Sequence, residues 1–386
     1  MALAGFAAAV LIAWAGVSHA GAEAPAPQQH KLSLTIRCLS DGLKVGDVIP
    51  IEFHVKNGGD EVYTYMDRNY DRSGRMDEYR LDAVDAKGQA VADPRAKRRA
   101  GIGGGLATDG KLAGGEYFTK TIALNRWALV KHPGKYTVTG TYRARSHGPG
   151  KIAEIRARPI TITIAGRTAK EMGQYIEGLG ERLGAAKDSA ERQRSIQKLM
   201  YTCDARIIPI LVDSLQARRT YWQLEAFRYY LPQDAKTRGR LRDEILAKAS
   251  TLGLPSGTVS LLKELGCGPK VIRPLIEVSL RPGNSHAWAE GALAAQRHPD
   301  NSYTARLMEI ASSTKSNGWT GAIYALAFNR TDESVGFLRK LLNGPDKNLR
   351  RVAASAVRAA YVYRGNAPGR PLKKGDFPPE YQRPKP

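Results

Sequence analysis

At Gly166 the chain changes its hydrophobic period, and that change divides its 386 residues into two folding problems. From Lys31 to Ile164 apolar residues alternate with polar ones. Ile49, Ile51, Phe53 and Val55 share one side, while Tyr136, Val138 and Tyr142 alternate with Thr137, Thr139 and Thr141. A period of two belongs to strands buried on one face. Beyond Gly166 the apolar residues recur at helical spacing, in paired segments. A chain of this length exceeds one ordinary core, so two units are expected on size alone.

In the first unit strands are predicted at 31–39, 48–55, 61–66, 78–85, 116–125 and 158–165, with another through Tyr136–Tyr142. Turn clusters such as Asn57-Gly58-Gly59 and Pro133-Gly134 separate them. About seven strands without a helix for a βαβ crossover point to an antiparallel sandwich. The phrases LKVGDVIPIEFHVKNGGDE and, later, HPGKYTVTGTY resemble the immunoglobulin-like (Ig-like) modules of exported bacterial proteins, with Tyr136 in the place of their late-strand tyrosine. Over residues 31–165 the resemblance implies a spacer or recognition unit. The stretch 93–115 holds Lys97-Arg98-Arg99 and a glycine run, Gly103-Gly104-Gly105. It reads as a loop, since a phosphate-binding glycine motif needs a following helix and a final small residue.

The second unit repeats internally. Ala289, Ala292 and Leu293 align with Ala322, Ala325 and Leu326, and these with Ala353, Ala356 and Val357. Leu275, Leu307 and Leu338 mark the partner helices. Small residues let neighbouring helices approach, and leucines fill the layer between repeats. Residues 207–215 and 348–357 resemble the two helices of HEAT repeats, which implies a HEAT-like, armadillo-like α-solenoid over 168–363. The full expectation is a multidomain β plus all-α chain: an antiparallel Ig-like β-sandwich followed by a HEAT-like α-solenoid. Residues 364–386, basic and Pro-rich, read as a disordered tail.

The first 22 residues lack Asp, Glu, Lys and Arg, and the apolar run ends in Ser18-His19-Ala20. This predicts a signal peptide over 1–20 and export to the periplasm or beyond, or else an uncleaved anchor. Three cysteines, Cys38, Cys203 and Cys267, are too few and too widely spaced for a disulfide framework or a zinc motif. The net charge is +22, and residues 166–386 carry 36 basic against 21 acidic side chains. Such a field attracts anionic partners.

No catalytic motif, metal-ligand spacing or cofactor fingerprint is visible, so an enzyme is not expected, and neither is a cofactor or a metal. The candidate binding residues are Trp222, Trp288, Trp319 and Tyr324, with Arg350 and Arg351 at one end. By resemblance to HEAT proteins they line a concave groove suited to sugars or extended peptides. The opposing reading makes the tryptophans core wedges. The functional expectation is a non-catalytic exported binding or scaffold protein whose cationic helical surface recognises an anionic protein or polysaccharide. A nucleic-acid-binding HEAT protein is the alternative, against which export argues, and a cell-envelope enzyme with an unrecognised site is the third reading.

Overall fold

The computed structural model describes residues 31–68, 75–76, 78–96, 107–144, 153–215, 221–255, 257–281, 291–292, 303–312, 314, 318–362, 371–373 and 375–382. The expected signal segment and Trp288 lie outside the described residues. So do the triplet Lys97-Arg98-Arg99 and the glycine run after it. No helix among the described residues is long and apolar enough to cross a membrane.

The amino-terminal half is an antiparallel β region of three sheets. Strands β1 (Leu32–Cys38), β2 (Pro50–Asn57) and β6 (Tyr117–Ala123) form the first, with β2 central. Strands β3 (Tyr63–Arg68) and β5 (Ala107–Leu112) form a ribbon. In the third, the long β7 (Gly134–Ala144) pairs along one edge with β4 (Tyr79–Asp85). Its other edge is shared by β8 (Ala153–Arg156) and β9 (Ile160–Ile164).

Two of these strands escape the sequence expectation. β5 lies inside the stretch read as a loop, because Ala-Thr-Asp-Gly-Lys-Leu has no apolar alternation and is held by its pairing to β3. Gly110 is required there: a Cβ would fall 2.3 Å from the ring of Tyr65, its cross-strand partner. β8 is only four residues long and joins β7 through Thr141–Ala144.

The alternation predicted for β2 is realised fully, with Ile49, Ile51, Phe53 and Val55 all buried. The first and third sheets share a core. Phe53 meets Tyr79 edge-on at 5.3 Å, and Phe118 meets Tyr142 edge-on at 5.9 Å. Gly140 on β7 faces this core, where an added Cβ would approach Ile36 Cγ2 to 2.7 Å and Phe53 Cε1 to 3.1 Å. Tyr136 is buried and its hydroxyl donates to the His132 carbonyl at 2.7 Å.

The carboxy-terminal half is helical. A capping box opens it, with Thr168 Oγ1 accepting from the Glu171 N–H and the Glu171 carboxylate accepting from the Thr168 N–H. The helices are α1 (Ala169–Ala185), α2 (Ser189–Tyr201), α3 (Ile207–Asp213), α4 (Tyr221–Glu225), α5 (Ala235–Leu252), α6 (Thr258–Glu264), α7 (Pro269–Ser279), α8 (Thr304–Ala311), α9 (Trp319–Asn329), α10 (Asp332–Asn343), α11 (Lys347–Val362) and α12 (Pro379–Gln382). A π-helical turn, Ala226–Tyr230, continues α4. The neighbours in space are α1 with α2, α3 and α7 with α5, and α9 with α8, α10 and α11. The aligned positions Ala292, Ala322, Ala325, Leu326, Ala353, Ala356 and Val357 are buried, as are Leu275, Leu307 and Leu338.

Part of the segment expected to be a disordered tail is described, and it packs on the helices. Phe377 is buried and meets Tyr361 edge-on, the Arg339 guanidinium donates to the carbonyls of Gly375 and Asp376, and Tyr361 donates to Lys373 O. One aromatic anchor and an arginine clasp outweigh the polar, Pro-rich composition.

Gly140→Ala tests the shared core of the first and third sheets. Overpacking of this kind costs about 1–3 kcal/mol. The variant is expected to melt several degrees below the parent, whereas Gly88→Ala, in a turn with nothing within 4 Å of an added Cβ but at φ +76°, loses only through its backbone.

Candidate ligand-binding surface

The β region meets the helices through arginines. Arg126, at the end of a short 3₁₀ turn after β6, lies over the ring of Trp222 with its guanidinium carbon 5.1 Å from the centroid, and donates to Tyr201 Oη at 3.3 Å. Arg75 stacks on Trp127 at 4.3 Å, donates to the Arg126 carbonyl and pairs with Asp93. Arg95 is buried, pairs with the buried Glu225 at 3.2 Å and donates to Tyr221 Oη at 3.1 Å. Asn125 ties these to the strands: its side chain accepts from the Ile49 N–H and donates to the Asp47 carbonyl, while its own carbonyl accepts from Tyr230 Oη. Burial raises the pKa of Tyr201 and Tyr230. Both stay neutral hydroxyls at physiological pH, able to bond without adding charge.

A second clasp holds the start of α1. Arg167 pairs with Asp47 at 2.7 Å and lies over Tyr175 at 4.1 Å, and Lys44 pairs with Glu171 at 3.1 Å. Gly46, at φ +91°, brings the β region onto Thr202, whose Cα lies 3.3 Å from where a Cβ would stand.

The sequence-derived residues are therefore distributed as follows. Trp222 is half-buried at the join, beneath Arg126 and edge-on to Tyr221. Trp319 opens α9 and is half-buried. Tyr324, on the same helix, shares a hydrogen bond with Ser355 of α11 at 2.8 Å. Arg350 folds back to donate to the carbonyls of Gly344 and Pro345, and Arg351 is exposed. Among the described residues no hydrogen bond, ion pair or ring contact joins Trp222 to the other four.

A cleft of about 520 Å³ opens where the π turn faces α5 and α6. Arg228 on the turn donates to Glu264 at 2.9 Å, and Ser260 donates to the other oxygen of that carboxylate at 3.1 Å. Arg238 reaches the Glu264 carbonyl, and Gln233 donates to Leu231 O at 2.9 Å. Tyr229 supplies ring surface, and the buried Phe227 also borders the cleft. The sequence carries no signal for this cleft, because it depends on a π turn that no residue pattern announces; π turns occur frequently at functional sites. The charged groups Arg228, Arg238 and Glu264 are each tied to a neighbour, which suits holding a polar ligand.

Removing the Glu225 carboxylate strips the buried Arg95 of its ion-pair partner. Loss of one member of a buried pair costs about 3–5 kcal/mol, whereas an apolar pair of similar volume is tolerated. Glu225→Ala is expected to lower the melting temperature strongly, and Arg95→Met with Glu225→Leu to recover most of the loss. No known protein family matches the chain, and no curated protein is significantly similar to it.

Proposed function

We propose that the chain is a non-catalytic, exported binding protein, in which an Ig-like β-sandwich and a HEAT-like helical array form one platform for an anionic protein or polysaccharide. The observation that carries the binding reading is the cleft beside the π turn, where Arg228, Ser260 and Glu264 satisfy one another and leave ring and amide surface open. Polar groups already held in place lose little freedom when a ligand arrives.

Other features support the architecture. Tyr136 bonds a carbonyl four residues upstream, as the corner tyrosine of Ig-like domains does. The buried alanines and leucines fall at the aligned repeat positions, and Tyr324 meets Ser355 across two consecutive units of the proposed register. The excess of cations in residues 166–386 supports an anionic partner. The apolar, uncharged start of the chain supports export.

Two measurements on the native protein test this reading. Cell fractionation with intact-mass analysis is expected to find the chain in the envelope without residues 1–20; a cytoplasmic chain beginning at Met1 contradicts export. A photo-crosslinker placed at Tyr229 is expected to trap an acidic protein or polysaccharide. Crosslinks to DNA or RNA at that position would favour the nucleic-acid reading instead.

A further inference from the structure

Most arginines of the helical half are engaged. Arg192 donates to Ser214 O, Arg206 pairs with Asp204, Arg228 with Glu264, Arg273 with Glu277, and Arg306 with Glu309. The hairpin of α1 and α2 departs from this pattern. A groove of about 380 Å³ is lined there by Arg182, Lys187, Arg194 and Lys198, with Ala185 and Ala186 between them. All four cations are exposed, and among the described residues none of them makes an ion pair.

The two carboxylates at the groove are turned to the backbone. Asp188 caps α2, accepting from the N–H groups of Ala190 and Glu191 at 2.7 and 2.8 Å, which hold its pKa below the usual carboxylate range. Glu191 accepts from the Lys187 N–H at 3.0 Å. Arg194 and Lys198 stand four apart on one helix face, a like-charge spacing that weakens a helix in isolation. Asp188 also feels the charge of Arg194, yet four cations against two carboxylates leave an excess of positive charge that favours an external anion.

We infer that the α1–α2 groove binds a linear anionic polysaccharide, with its carboxylates or sulfates held between Arg182 and Lys187 on one side and Arg194 and Lys198 on the other. The inference rests on the proposed reading of the protein as a binder of anionic partners. The lining separates the ligand classes. It contains no aromatic ring on which a nucleobase would stack. Both walls are helical, so no strand edge offers the backbone hydrogen bonds that capture an extended acidic peptide. Ala185 and Ala186 give the C–H faces of sugar rings a small apolar floor.

The test titrates the full chain with chondroitin sulfate and polygalacturonate, using polyglutamate and a single-stranded DNA oligonucleotide as comparison probes. Arg194→Ala with Lys198→Ala is expected to weaken polysaccharide binding about tenfold, as removal of two charge-assisted contacts implies. Lys111→Ala with Lys135→Ala, which removes the same charge from the exposed β region, is expected to change it less than about twofold. Parent binding should fall about tenfold or more from 50 to 200 mM NaCl if four cations release counterions. Equal losses in the two double variants would overturn the groove while leaving the binding reading intact. Tighter binding of polyglutamate or DNA would overturn the ligand class. Failure to bind any probe would overturn both this inference and the anionic-partner reading. Melting curves confirm that the variants are folded, and Arg182→Gln with Lys187→Gln repeats the test from the opposite wall.

Discussion

The buried ion pair of Arg95 and Glu225 is the constraint on which the relation of the two halves depends. Burying a guanidinium and a carboxylate is favourable only when their remaining polar atoms are also satisfied. Tyr221 supplies one further bond to Arg95, both members of the pair are buried, and Tyr230, within electrostatic reach of Glu225, keeps its hydroxyl bonded to the Asn125 carbonyl. Guanidinium groups suit such a join because their flat faces stack on aromatic rings while their edges donate hydrogen bonds. Arg75, Arg126 and Arg167 all use both properties at once.

Cationic side chains thus serve two opposite purposes in one chain. At the join and along α3 to α8 the arginines are consumed by carboxylates, carbonyls and rings. The cations Arg182, Lys187, Arg194 and Lys198 are left exposed to solvent. A formal charge of +22 gives only the sum, whereas function depends on which cations remain after the internal pairs are subtracted.

Much of the fold was legible because burial imposes a period. The alternation through Ile49–Val55 and Tyr136–Tyr142 marked strands whose inward residues are buried as expected, and the Thr168–Glu171 capping box stands where the period changes. β5 was not legible, since Thr108, Asp109, Gly110 and Lys111 obtain their strand conformation from β3 and the Tyr65 ring, a contact distant in sequence. Phe377 escaped notice as a single anchor inside an otherwise polar tail. Among the candidate site residues the tryptophans were recognisable by size and spacing. The partner of Trp222, however, is Arg126 from the other half of the chain, and no periodicity within the helices reveals it.

The π turn connects the join to the cleft. In an α-helix residues five apart differ by about 140° in direction, so Glu225 and Tyr230 would not face the same neighbour. A π-helical turn bonds i to i+5, as the Leu231 N–H does to the Ala226 carbonyl at 3.1 Å, and its wider winding brings residues five apart closer to one side than an α-helix does. Glu225 then reaches Arg95 while Tyr230 reaches the Asn125 carbonyl, both on the β side. The intervening Arg228 and Tyr229 are carried to the opposite side, where they line the cleft against α5 and α6. The irregularity that lets the helices grip the β region is therefore also what opens the cleft, and the shape of one is coupled to the integrity of the other.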